Sequence, residues 1–241
     1  RHPASTMASC LFCFSDAPID SSVMKPEDPR YKFYVNYQEK FEIAMDDAPC
    51  QEPAWCCLSC VCVPCTVCYM RKLVLEHVGL SLKTHYECCQ GYFPNPCRPC
   101  CAPLEKSMPS CCACTEACIC PGLSMSASRF VMMDHYSLGV HPVDNQIIRF
   151  NNCLQLISCI CDLLAICIRP MRNLARCVNC VADVVFHITA GCMSAQVYHE
   201  INARTAIVTG VVVGGSNKYS ENAPLIDGSQ GSAQGNQQMT R

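Results

Sequence analysis

The chain is short of charge. Only 16% of its 241 residues are Asp, Glu, Lys or Arg, and the formal net charge is -2. No basic field is left to hold a phosphate backbone, which argues against nucleic acid as a partner. The N-terminal Arg1-His2-Pro3-Ala4-Ser5-Thr6-Met7 has no apolar signal-peptide core, and no Asn-x-Ser/Thr sequon occurs. Met7 reads as the natural start and the reducing cytosol as the expected compartment. A Gly-rich phosphate loop, a G-x-S-x-G elbow and an H-E-x-x-H pair are all missing. Cysteine is so abundant that Cys–His proximity carries no information about a nucleophile. The expectation is a protein that is not an enzyme.

What the chain has in excess is cysteine, 26 residues, within a composition that is 50% hydrophobic. That apolar half is too much for a chain disordered throughout. In a reducing compartment dense cysteines read first as metal ligands or modified thiols and only then as disulfides. The expected fold is mainly α: an irregular cysteine-rich module, an antiparallel apolar αα-hairpin and a disordered C-terminal tail. Residues 1–30 read as an irregular leader bearing Cys10 and Cys13. Residues 31–125 form the cysteine-rich module. Phe33, Tyr37 and Phe41, spaced by four, predict a short amphipathic helix at its start. The cysteines between 50 and 120 show no fixed period, so no repeat is expected. Prolines at 94, 96, 99, 103 and 109 argue against long regular elements between its last two cysteine clusters, Cys88–Cys101 and Cys111–Cys120. Residues 126–206 hold the hairpin. Residues 207–241 hold a short apolar run and the polar tail.

The hairpin carries the clearest pattern. Asn151, Gln155, Ser158 and Asp162 step by four, three and four along one stripe that Arg169 continues. After Pro170, Arg176, Asn179, Asp183, His187 and Ser194 repeat the stripe. Asp162 precedes Arg169 by the interval at which Asp183 follows Arg176. The two carboxylates are therefore expected at one depth, with Ser158 and His187 one turn further on. The seams would face each other and the wide apolar faces would point outward. Residues 150–168 as a helix are about 28 Å long, close to the ~30 Å hydrocarbon layer of a bilayer. Asp162, Asp183 and His187 could hold a cation in the seam, against the blander role of fixing the register.

The cysteine clusters admit two chemistries. Cys57-x-x-Cys60 and Cys97-x-x-Cys100 are short chelate loops, and two such loops make a four-thiolate zinc site. Cys62/Cys65 and Cys65/Cys68 have the same spacing, so the pairing stays open. Zinc is the one cofactor the composition admits, and none is required. The other chemistry is lipidation. Cys56 to Met70 contains no charge and runs into Arg71-Lys72. A cysteine cluster beside basic residues at a membrane is where S-acylation occurs. The candidates are Cys56, Cys57, Cys60, Cys62, Cys65 and Cys68, with Cys10 and Cys13 as an N-terminal pair. In the tail, Glu221 with Leu225-Ile226 fits an acidic dileucine signal, which would engage a sorting adaptor.

Two stretches carry a resemblance. Cys56-Cys57-Leu58 through Pro64-Cys65 resembles the double-cysteine signature of the cornifelin and plant cadmium-resistance family, with Val63 where that pattern has a cysteine. The resemblance implies a small membrane-associated protein linked to divalent-cation handling. A longer set is similar to an uncharacterised eukaryotic cysteine-rich family. It runs from Tyr69-Met70-Arg71-Lys72 through Tyr86-Glu87-Cys88-Cys89-Gln90-Gly91-Tyr92, Ser128-Arg129-Phe130 and Asp144-Asn145-Gln146-Ile147-Ile148-Arg149-Phe150 to Asn152-Cys153-Leu154-Gln155. It spans roughly residues 31–200 and implies a shared fold. The expectation is thus an S-acylated scaffold or modulator of a membrane protein, contacting membrane lipids on the cytosolic face of an endomembrane or the plasma membrane. The alternatives are a soluble zinc-stabilised interaction module and a secreted or lumenal disulfide-bonded protein.

Overall fold

The computed structural model describes residues 26–93 and 98–209, with side chains except at 98–101 and 208–209. The leader thiols Cys10 and Cys13, the proposed ligand Cys97, and the Glu221, Leu225 and Ile226 signal lie outside the described residues, as does the tail itself.

The fold is mainly α and contains the apolar hairpin. Ten α-helices and no strand occur among the described residues. They are α1 Tyr31–Val35, α2 Ala48–Gln51, α3 Pro53–Val61, α4 Val63–His77, α5 Leu82–His85, α6 Arg98–Ser107, α7 Pro109–Ile119, α8 Pro121–His135, α9 Pro142–Cys167 and α10 Met171–Thr209. The expected helix at residues 31–46 stops at Val35. Phe33 and Phe41 are still buried, but an irregular segment delivers Phe41, and Gly139 takes the closest approach to it. A Cβ on Gly139 would stand 2.2 Å from the Tyr37 carbonyl oxygen.

Four prolines of the cysteine-rich module start helices, while Pro103 lies inside α6. Pro53, Pro64, Pro109 and Pro121 each occupy a first or second helical position, where the missing N–H would have no partner anyway. Two of them follow a single non-helical cysteine. Cys62 (φ -129°, ψ 68°) separates α3 from α4, and Cys120 (φ -136°, ψ 62°) separates α7 from α8. The two kinked units match at several positions. A shift of 58 positions superposes Cys56 on Cys114, Cys60 on Cys118, Cys62 on Cys120, Arg71 on Arg129, His77 on His135 and Leu80 on Leu138. Both second helices are 15 residues long. Both end alike: a left-handed residue (Gly79, φ 77°; Ser137, φ 55°) precedes a leucine whose amide donates back to the helix, Leu80 to Leu75 and Leu138 to Met133, each at 2.8 Å. The burial also matches, with Val67, Met70, Arg71, Val74 and Leu75 answered by Met125, Ser128, Arg129, Met132 and Met133. The module therefore contains two similar helix–kink–helix units, α3–α4 and α7–α8.

α4 and α8 lie side by side, and α10 crosses them to form one core running from Phe33 to Ile201. Each matched arginine is buried in that core with a carboxylate. Arg71 Nη2 donates to Glu116 Oε1 at 2.7 Å. Arg129 Nη2 donates to Asp144, and Gln196 bridges the pair, accepting from Arg129 Nε at 3.1 Å and donating to Asp144 at 2.9 Å.

Candidate functional site: an exposed apolar hairpin over two cysteine kinks

The last third of the chain divides along its length. From Thr189 to Val197, α10 is buried against the module. Gly191 permits this contact: a Cβ there would stand 2.3 Å from Cys60 Sγ and 3.0 Å from the Cys56 carbonyl oxygen. Further along, the Trp55 indole N–H donates to Ser194 Oγ at 2.9 Å and its ring stacks on Tyr198 at 4.5 Å. Glu52 meets His199 at 3.1 Å. Glu52 therefore sits beside His199 and Cys60 beside Gly191, so the C-terminal end of α3 points down α10 toward the hairpin.

Below Thr189 the hairpin stands clear of the module. α9 and α10 are both long and apolar enough to cross a membrane, and only 11% of the apolar window in Pro142–Cys167 is buried. Leu156, Leu163 and Ile166 on α9 and Leu174, Val184 and Ile188 on α10 are exposed. The two helices meet through small or polar side chains. Ala175 and Ala182 are buried between them. Gln155 donates to the Ala182 carbonyl at 2.9 Å, Ser158 Oγ to Asn179 Oδ1, and Asn179 Nδ2 to Asp162 Oδ1 at 2.8 Å.

The seam exists, but its register differs from the expected one. Ser158 and Asp162 both meet Asn179, so Asp162 does not face Asp183 and Ser158 does not face His187. The reason is the turn. α10 begins at Met171, directly after Pro170, so Arg172 and Arg176 belong to the helix. The hairpin axis consequently moves toward the N-terminus. His187 instead bonds the Asp183 carbonyl of its own helix at 2.7 Å. Asp183 and His187 line a shallow cleft with Arg176 and Asn179, and Asp162 does not join them in a ligand cluster.

Two further apolar tips lie at the foot of the hairpin. Val61, just before the Cys62 kink, is 84% exposed, and its counterpart Ile119, just before Cys120, is 78% exposed. The second kink abuts α10 where it leaves the module: a Cβ on Gly122 would meet Phe186 at 3.3 Å.

The lipidation candidates separate by environment. Cys57 is exposed. Cys62 and Cys65 lie with their sulfurs against each other across the first turn of α4. Cys56 is buried, and burial pushes its thiol up to about 11. Burial also raises Cys60 to about 11 and Cys68 to about 12, the latter with the help of Cys114. None of these three is an activated nucleophile. Of the expected zinc set, Cys57 is exposed and Cys60 faces Cys56, while the Cys100 side chain lies outside the described ones. Among the described residues the one group of three ligand-type side chains within 4.8 Å of one another is Cys88, Cys89 and Glu116. The adjacent cysteine pair was visible in the sequence. Glu116 was not, because nothing local ties it to residues 88–89.

No family model, no curated protein and no solved structure matches the chain.

Proposed function

We propose that the chain is a membrane-anchored, non-enzymatic protein whose hairpin enters the bilayer and whose helical module rests on the cytosolic surface, as a scaffold or modulator of a membrane partner. One observation carries this reading: the outer apolar faces of α9 and α10 are exposed from Leu156 to Ile188, Phe186 at the second kink apart, and the bare tips Val61 and Ile119 continue the same surface at the foot. Apolar area of this extent in water marks a surface that meets a membrane or another protein. The length favours the membrane. From Met171 to Ile188 the helix rises about 27 Å, against ~30 Å of hydrocarbon. Arg169 and Arg172 then fall at the far headgroups, where arginine is stable.

Asp162 is tied to Asn179 within the seam, as an intramembrane carboxylate must be. The cleft of Arg176, Asn179, Asp183 and His187 on the outer face of α10 is where a membrane partner would find polar contacts. Exposed Cys57 and exposed Cys118, each within the helix that ends at a bare tip, are the thiols best placed for S-acylation beside the lipid surface.

The test is fractionation of the full chain from its own cells. The protein should resist carbonate extraction and float with vesicles, and neutral hydroxylamine should remove acyl-sized mass. Release into the soluble fraction by carbonate would overturn membrane insertion. A hydroxylamine-insensitive mass would remove the acyl chains and leave the hairpin as the anchor.

A further inference from the structure

The first kink holds a pair of cysteines that the second lacks. Cys62 is the N-cap of α4, and Cys65 sits in the first turn with Pro64 between them. Their sulfurs lie against each other and their Cα atoms are 5.5 Å apart. A disulfide joins residues whose Cα atoms are roughly 4.4–6.8 Å apart, so the backbone is already placed for a bond between these two.

The kink produces this placement. Cys57/Cys60, Cys111/Cys114 and Cys177/Cys180 have the same spacing, but each pair lies wholly inside a helix and its thiols are free. In a continuous helix the Cβ atoms of residues three apart are about 5–6 Å from one another, beyond the roughly 3.5–4.5 Å that a disulfide needs. Cys62 has left the helical backbone, at φ -129° and ψ 68°, and meets Cys65 across the helix end. At the second kink Cys120 has nearly the same backbone, φ -136° and ψ 62°. There Leu123 takes the place of Cys65, and Cys120 Sγ donates instead to the Glu116 carbonyl at 3.3 Å.

The pair is open, and its helix end favours a thiolate. Cys65 is exposed and Cys62 half-buried, directly after the bare tip Val61. α4 is 15 residues long and has no acidic residue in its first turn. Its unpaired N-terminal amides and its dipole attract an anion. An N-cap side chain accepts from the second or third helical amide. Pro64 has no N–H to give, so the Cys65 amide is the donor within reach of a Cys62 thiolate. Cys62 is thus the attacking sulfur and Cys65 the resolving one.

We infer that Cys62 and Cys65 are a thiol–disulfide exchange pair whose co-reactant is a low-molecular-weight disulfide of the glutathione class. The Cys62 thiolate attacks one sulfur of that disulfide, forms a mixed disulfide and releases one small thiolate. The Cys65 thiolate then attacks the Cys62 sulfur, closes the intramolecular disulfide and releases the second. The pair gives up two electrons and two protons, and the small disulfide becomes two thiols; the reverse sequence reduces the pair. The inference is independent of how the hairpin meets a membrane.

The experiment equilibrates the reduced, purified full chain with glutathione buffers of graded oxidised-to-reduced ratio, quenches with acid and labels free thiols with N-ethylmaleimide. Tandem mass spectrometry should show Cys62 and Cys65 losing their labels together, the segment two hydrogens lighter, in buffers where Cys57 and Cys118 stay labelled. C65S should trap glutathione on Cys62, at least ten times more than C62S traps on Cys65, because only C65S keeps the attacking sulfur and lacks its resolving partner. A wild type in which Cys62 and Cys65 keep their labels wherever Cys57 does, or a C65S chain with no glutathione on Cys62, would overturn the assignment.

Discussion

Single side chains decide how closely this molecule can pack. Gly191 lies where α10 crosses α3, and no larger residue fits without moving Cys60. Gly191→Ala should therefore destabilise the protein by about 1–3 kcal/mol, the usual cost of forcing atoms into a filled core. Cys60→Ala in the same chain should recover part of that loss, because it removes the atom standing 2.3 Å from the new Cβ. Recovery stays partial, since the Cys56 carbonyl is still 3.0 Å away. Denaturant unfolding of the four combinations measures both. If the double variant is no better than Gly191→Ala alone, the clash lies elsewhere.

Glu116 sets a pH dependence. Burial pulls its carboxyl up, but the Arg71 charge, with hydrogen bonds from the Cys89 amide, Ser124 and Tyr86, outweighs burial and holds it below its ordinary value of 4.5. A carboxyl depressed in the folded state stabilises the fold above the unfolded value, and that stability is lost as pH falls below it. Glu116→Gln should thus cost about 3–5 kcal/mol at neutral pH by stranding Arg71, and its stability should fall less steeply below pH 4.5 than the wild type's. An unchanged acid limb in the variant would assign the acid sensitivity to another group.

At the scale of elements, the hairpin was the most legible part of the sequence and its register the least. A stripe of Gln155, Ser158 and Asp162 within an apolar run dictates a helix with one polar edge, and those residues do form the seam. Depth depends on the turn, and sequence pattern alone did not show that α10 starts at Met171 with Arg172 and Arg176 already inside it. The helices of the module were legible only in hindsight. Proline was read as a breaker, but at a first or second helical position it costs nothing and fixes the entry angle. The exposure of the hairpin gives a separable prediction. Leu163 and Ile166 are 60% and 76% exposed and touch no part of the core. L163E/I166E should leave thermal stability of the detergent-solubilised protein within about 0.5 kcal/mol. It should abolish flotation with vesicles, since each carboxylate in hydrocarbon costs roughly 2.5–3.5 kcal/mol on insertion scales. Intact flotation would show that this face is not in lipid.

At the scale of the whole molecule, two similar helix–kink–helix units each bring a cysteine cluster to an exposed apolar tip. The similarity was present in the sequence as Cys-x-x-x-Cys-x-Cys followed by Arg and His at fixed distances, in residues 56–77 and again in 114–135. The surplus of other cysteines hid it, and the matching apolar positions differ in kind, Val and Leu in one unit and Met in the other. Each unit ends its first helix in a bare apolar residue before the kink. The end of α3 runs down α10 toward the hairpin, and the start of α8 touches Phe186. Val61 and Ile119 should then enter the headgroup boundary together, while Trp55, stacked on Tyr198 farther up α10, stays above it. Trp55 is the single tryptophan, so it can be moved. W55F/V61W and W55F/I119W should both be quenched by brominated lipid in reconstituted vesicles, and the unmodified chain much less. Quenching at only one tip would mean that the module tilts on the membrane and the two units differ in role. Quenching at neither would mean that the apolar collar meets protein, and the hairpin would then be a docking element for a partner of its own length.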